Sequence, residues 1–319
     1  MYFNNIKLKT ELQHINFLYQ TDSQKEYNIS LSYQLFGKDL FSAPIILVNH
    51  ALTGNSNVSG DKGWWKQLIG EGQVIDTNKY TVLCFNIPGN GFDDFFIDQY
   101  SDFTPSDMAN VFLKGLEALH IKKLYAIIGG SLGGGIGWEM LAKNPDFAEI
   151  FIPIACDSKT HDWLHAQCLV QQFLLNSDDE PLQKARIHAM LCYRTPQSLN
   201  DRFQNKFNQE KQQLESEDWL NYHGKSLAER FSLKSYQLMN HLLMNINANG
   251  KDLCKIKARM HMISVDTDLF FPASEIRMCF NRLKAEKEDV FYHEIKSIHG
   301  HDAFLMEYQQ LNYIIKNIL

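Results

Sequence analysis

The sequence predicts an α/β fold, a mostly parallel sheet covered by helices on both faces and interrupted by an inserted helical region. Three observations carry that reading. Short apolar runs rich in β-formers alternate with amphipathic helical patterns. The rhythm stops near Asp157 and resumes near Ala258. One run ends in "IIGGSLGGG", residues 127–135, where five glycines surround a single hydroxyl.

The elements follow in order. "HINFLY" and "NISLSYQLFG" alternate apolar and polar residues and read as antiparallel edge strands. "PIILVNH" and "YTVLCFNIPG" are buried runs ending in turns, as central parallel strands require. "FTPSDMANVFLKGLEALHI" reads as a helix with Thr104 at the N-cap, Pro105 at the first helical position and Asp107 closing a capping box. The strand "KLYAIIGG" follows, then a helix from about Ser131 to "KNPD", then the strand "EIFIPIA". From 157 to 257 the chain carries Gln, Asn, Leu and Lys at helical periods without convincing strands. We read this as a helical cap inserted into a catalytic domain formed by residues 1–156 and 258–319. The sheet rhythm resumes with "ARMHMISV", a helix around "SEIRMCFNRLKAE", the strand "DVFYHEIK" and a closing helix "FLMEYQQLNYIIKNIL".

Composition narrows the functional classes. The 319 residues are 45% hydrophobic, enough for a large packed core. A net charge of −6 argues against a broad nucleic-acid or anionic-membrane surface, so small-molecule partners are expected. Six cysteines without a C-x-x-C pair read as reduced thiols. The N-terminal "MYFNNIKLKTELQHINF" is charged where a signal peptide needs an apolar centre, and no stretch is long and apolar enough to span a membrane, which predicts a soluble cytoplasmic protein. His161 and His165 stand at helical i, i+4 spacing but have no evident third ligand, so they read as a solvated face and no metal site is expected. Trp64 and Trp65 read either as pocket-lining residues or as packing anchors.

The glycines around Ser131 have a specific use. A phosphate loop needs Lys and a hydroxyl residue after its last glycine, and a dinucleotide fingerprint needs G-x-G-x-x-G near the first strand; neither pattern is present. Gly129-x-Ser131-x-Gly133 fits a nucleophile elbow, a sharp strand-to-helix turn that lifts a serine above the sheet, where the dipole of the following helix favours negative charge. A serine nucleophile needs an acid and a base at the ends of later strands, in that order. "DTDLFFP" offers Asp266 and Asp268, and "SIHGHDAF" offers His299 and His301. Asp268 would hold the His301 imidazole in the tautomer that takes the Ser131 proton. The oxyanion hole would use the Leu132 N–H and an N–H from "VNHALTGN", which we assign to Leu52 ahead of Ala51, with His50 as a structural hydrogen-bonding residue.

With these residues collected, the chain resembles the homoserine O-acetyltransferases, enzymes of the α/β-hydrolase fold that serve methionine synthesis. "NHALTG", "GWWKQLIGEGQVIDTNKYTVLCFN", "IIGGSLGG", "YHGKSLAERFSLKSY", "DTDLFFP" and "GHDAFL" are similar to that family's successive signatures, from about residue 12 to the C-terminus. The resemblance implies Ser131 as nucleophile, Asp268 as acid and His301 as base. It implies acetyl-CoA as co-substrate with no bound cofactor, homoserine held by Asp302 and a cap tyrosine (Tyr222 or Tyr236), and a homodimer formed through the cap. Two departures stand out. "IPGNGFDDFF" replaces a longer Gly-rich segment, and "HAQCLVQQFLL" puts Cys168 and Gln172 where the resemblance leads one to expect Asn and an Arg that grips the substrate carboxylate. Arg194 is the nearest cap replacement, because a bidentate cation is what a carboxylate needs. A succinyl donor, an esterase or thioesterase using the same triad, and a non-catalytic ligand-binding protein are the alternatives.

Overall fold

A computed structural model describes residues 11–248 and 252–319; most of the N-terminal segment read above against a signal peptide lies outside them. In chain order the strands are β1 (Gln13–Gln20), β2 (Glu26–Gly37), β3 (Ile45–Asn49), β4 (Ile69–Gly70), β5 (Ile75–Asp76) and β6 (Thr81–Phe85). Helix α1 (Pro105–Ala118), β7 (Leu124–Gly130), α2 (Leu132–Lys143) and β8 (Ala148–Ile154) complete the first half of the sheet domain. The inserted region supplies α3 (Asp162–Leu175), α4 (Pro181–Tyr193), α5 (Pro196–Phe203), β9 (Phe207–Asn208), β10 (Gln213–Leu214), α6 (Glu215–Ala228) and α7 (Leu233–Met244). The chain closes with β11 (Arg259–Val265), α8 (Ala273–Glu286), β12 (Val290–Ile295) and α9 (Tyr308–Lys316).

The central sheet has eight strands in the order β1-β2-β6-β3-β7-β8-β11-β12. β1 and β2 are the antiparallel edge, and the pairs from β6 onward are parallel. This is the α/β-hydrolase architecture. Along β3, Ile45 and Leu47 join one apolar cluster while Ile46 and Val48 join the other, because successive strand residues point to opposite faces. One face packs Met108 and Phe112 of α1 and Ile136 and Met140 of α2; the other packs Trp65, Leu311 and Ile315. Both faces are therefore dry, as a parallel sheet requires.

Helix α1 begins as its sequence dictates. The Thr104 side chain accepts from the Asp107 N–H, and the Asp107 carboxylate accepts from the Thr104 N–H at 2.8 Å. The closing helix starts later than its pattern suggested. Residues Gly300–Leu305 form a 3-10 turn and α9 begins at Tyr308, because Gly300 sits at φ +63 and Phe304 turns inward against Trp65 and His301.

The inserted region leaves and rejoins the sheet domain through a narrow neck. Lys159 and Asn247 form an antiparallel bridge, flanked by Thr160 N–H to Ile246 O at 2.8 Å and Ala248 N–H to Ser158 O at 2.9 Å. Its helices are joined by one feature not legible in the sequence, the two-residue ribbon β9–β10.

Candidate active site

β7 delivers the chain to the top centre of the sheet, where Ser131 adopts φ 54 and ψ −127. A non-glycine residue held there stores about 1–3 kcal/mol of strain, which only its surroundings can sustain. They do so through glycines. A Cβ on Gly129 would lie 2.5 Å from the Gly133 backbone, and one on Gly133 would lie 2.3 Å from the Asn49 carbonyl oxygen. The Ser131 N–H is tied to Ile154 O at 2.9 Å, so the elbow is anchored to the neighbouring strand β8.

The Ser131 Oγ lies 2.9 Å from His301 Nε2, and His301 Nδ1 lies 2.7 Å from Asp268 Oδ2. All three are at least 96% buried, with relative exposures of 3%, 4% and 4%. The other Asp268 oxygen accepts the Phe270 and Phe271 N–H groups at 2.7 and 2.8 Å. This carboxylate is thus fixed by three hydrogen bonds, and its orientation sets the imidazole tautomer. The His301 ring is boxed by Phe270, Phe304, Tyr193 and Phe271 at centroid distances of 5.1, 5.4, 5.5 and 5.7 Å. Asp266 and His299, the neighbouring candidates, go elsewhere. Asp266 accepts from the Ser297 N–H at 3.0 Å, and His299 Nδ1 meets Ser198 Oγ at 2.9 Å.

The loop after β3 is set by His50, which is fully buried. Its Nε2 accepts the Ile87 N–H at 3.0 Å, so the proton is assigned to Nδ1, which donates to Ala51 O at 2.8 Å. Burial pushes the imidazole down to about 4, against the weaker opposing effect of that carbonyl, and keeps it neutral. The Gly54 N–H donates to the same Ala51 oxygen at 2.9 Å. In a trans peptide the following N–H points the opposite way, so these two donors orient the Leu52 N–H. Asn49 Nδ2 donates to Gly133 O at 3.1 Å, drawing the end of β3 against the start of α2, where the Leu132 N–H opens the first turn. Among the described residues neither the Leu52 nor the Leu132 N–H donates to a protein group. A free N–H at a helix start beside a strained serine, with a second offered by the loop after β3, can stabilise a developing oxyanion.

The cap closes over this centre with charge. Asp302 follows the base and has its Oδ2 3.6 Å from Arg194 Nη1. Burial raises its carboxyl above the usual range, against the opposing pull of Arg186, His301 and Arg194. Arg194 is itself committed to Ser198 Oγ at 2.9 Å and to His299 Nδ1 at 3.2 Å. Tyr236 is buried in α7, within electrostatic reach of Tyr193. Tyr222 is 65% exposed, its ring meets His223, and no contact joins it to the triad among the described residues.

The sequence reading missed Arg186 and Tyr193. They lie two turns apart on one face of α4, with the guanidinium 5.7 Å from the Tyr193 ring centroid and within electrostatic reach of Asp302 and Tyr236. Cys168 is fully buried and Gln172 half-buried on α3, and Arg186 on the next helix is, with Arg194, a cation within electrostatic reach of Asp302. The signal was present in "ARIHAMLCYR", a cation and an aromatic at a helical repeat.

His161 is paired with Asp157 at 2.8 Å, and no metal-binding cluster occurs among the described residues. Trp65 is fully buried and stacks on Trp64 at 4.7 Å, so the pair packs the core. No helix among the described residues is long and apolar enough to cross a membrane.

Fold and site together define an enzyme of the α/β-hydrolase class, and the family model described as the alpha/beta hydrolase fold matches residues 44–167. A relative named homoserine O-acetyltransferase, from Methanohalobium evestigatum, is 30% identical over 93% of this chain and 70% of its own length. The crystal structure of homoserine O-acetyltransferase from Bacillus anthracis superposes with a TM-score of 0.84 at 18% identity, covering 96% of this chain and 97% of that one. An esterase superposes with a TM-score of 0.85 at 19% identity, covering 96% and 99%. The two structures share the fold. The chain belongs to the homoserine O-acetyltransferase family and is an acyltransferase of that kind.

Proposed function

We propose that this enzyme moves an acetyl group from acetyl-CoA to the hydroxyl of L-homoserine through an acetyl-Ser131 intermediate, a step that feeds methionine synthesis. Ser131 Oγ attacks the thioester carbon as its proton passes to His301 Nε2. The Leu52 and Leu132 N–H groups hold the oxyanion. The C–S bond then breaks, and the sulfur leaves as CoA thiol with the proton from His301. In the second half, the homoserine hydroxyl gives its proton to His301 and attacks the acetyl carbon. Ser131 leaves and takes the proton back. Acetyl-CoA is a co-substrate, and the scheme uses no resident cofactor.

The observation that carries this reading is the pair of opposite charges beside the relay. Asp302 suits the ammonium group and Arg186 the carboxylate of a zwitterionic amino acid, with Tyr193 and Tyr236 between them. The aromatic box around His301 supports transfer over hydrolysis by keeping water away from the acyl-enzyme. In the same reading two copies pair through α3, which exposes Leu169, Val170 and Phe173, and the protein works in the cytoplasm with its thiols reduced.

The test is product identification after mixing enzyme with acetyl-CoA or succinyl-CoA and with homoserine or serine. O-acetylhomoserine, with CoA release that depends on homoserine, is the expected result; a preference for succinyl-CoA would reassign the donor. The esterase likeness supports a second reading, hydrolysis by the same triad. CoA release indifferent to homoserine would select it.

A further inference from the structure

We infer that cap helix α3 positions the catalytic acid, with Trp163 and Gln167 as positioning residues that act through the Leu269 peptide. The inference rests on the triad reading above. Trp163 Nε1 donates to Leu269 O at 2.6 Å, and Gln167 Nε2 donates to the same oxygen at 2.9 Å. The two side chains lie one turn apart on α3, so a single helix face presents both donors to one carbonyl.

That carbonyl belongs to the peptide unit whose other end is the Phe270 N–H. No cis bond occurs among the described residues, so the two groups point in opposite directions. Pinning the oxygen toward α3 therefore aims the N–H at Asp268, whose Oδ1 accepts it at 2.7 Å. The next N–H, from Phe271, adds a bond to the same oxygen at 2.8 Å. With Oδ1 held there, Oδ2 faces His301 Nδ1 at 2.7 Å. A chain of directional bonds thus runs from the cap to the base. Phe270 and Phe271 also flank the His301 ring, so a shift of this peptide would move the acid and the walls of the base together.

Bonds that only anchored the cap would not need to converge on the peptide that orients the acid. Leu269 itself is 41% exposed, so its side chain contributes little packing to hold this turn. The paired donors from α3 supply that hold.

The test removes the donors and keeps the shapes: Trp163→Phe with Gln167→Met, in the native enzyme and in an Asp268→Asn background. In the native background kcat should fall about 10- to 100-fold, the cost of a misplaced catalytic group, with KM for both substrates little changed. In the Asp268→Asn background the same changes should cost about 2-fold or less, because the group they orient no longer works; neighbours in one network are non-additive. An unchanged kcat in the native background, or the same loss in both backgrounds, overturns the positioning role. If Asp268→Asn alone leaves kcat intact, the triad reading fails instead, which is a separate result. Should the double variant not fold, Trp163→Phe alone carries the same comparison, since it alters one exposed indole.

Discussion

His301 Nε2 stands 2.9 Å from Ser131 Oγ although 170 residues separate them in the chain. That distance is a hydrogen bond ready for proton transfer, and it is set by two strand ends, β7 carrying the serine and β12 leading to the base.

Ser131→Ala should abolish both transfer and labelling by a serine-directed phosphonate. The fold should survive, because the elbow is held by Gly129, Gly133 and the bond to Ile154 O rather than by the hydroxyl. Mass spectrometry after phosphonate treatment and circular dichroism check the two halves. Normal turnover would end the nucleophile assignment.

Asp268→Asn should lower kcat by about four orders of magnitude if tautomer control is as tight as in serine proteases. Asp266→Asn should cost far less, since that carboxylate is engaged with the Ser297 N–H and with Lys296 at 3.7 Å. Steady-state kinetics on both variants decides between the acids, and the reverse order would reassign the role.

Arg186→Gln should raise KM for homoserine about 10- to 100-fold, the worth of a charge-assisted hydrogen bond. The acetylation half-reaction should keep its rate, because the thioester meets Ser131 before the amino acid arrives. Rapid-quench measurement of acetyl-enzyme formation separates the halves. Equal damage to both would show that Arg186 does not read the carboxylate.

Stability should fall as pH drops from about 6.5 toward 4, the interval between unfolded and folded histidine values. Burial, aided by His293 and Arg259, pushes His261 down to about 4, and burial does the same to His50. The unfolded chain takes up protons in this window and the folded chain does not, so stability is lost on acidification and restored as pH rises again. His261 Nδ1 shares one contact with His293 Nε2 at 3.0 Å, and its own Nε2 is buried without a partner among the described residues. His261→Phe, which can stack on Phe291 as the imidazole does, should cut the proton uptake of unfolding near pH 5 by about one. Denaturant melts across this range measure it; an unchanged slope would show that His261 does not titrate there.

Much of the fold was legible because its signals are local. Capping at Thr104 and Asp107, the continuous apolar run of β3, and glycines at a strand-to-helix turn depend on neighbours in the chain. The pattern places the start of α9 too early because Phe304 fits a helical period equally well; its ring contacts with Trp65 and His301 draw it into a tighter turn.

By itself the sequence determined the succession of strands and helices, the place of the inserted region and the turn that carries Ser131. Tertiary structure alone decided that Arg186 and Tyr193 lie beside Asp302 and His301 while Tyr222 looks outward, and that Trp163 and Gln167 grip Leu269. The reason is physical. Periodicity and turn chemistry are set within a few residues, whereas the contacts of a cap depend on how its helices fold back onto strand ends encoded a hundred or more residues away.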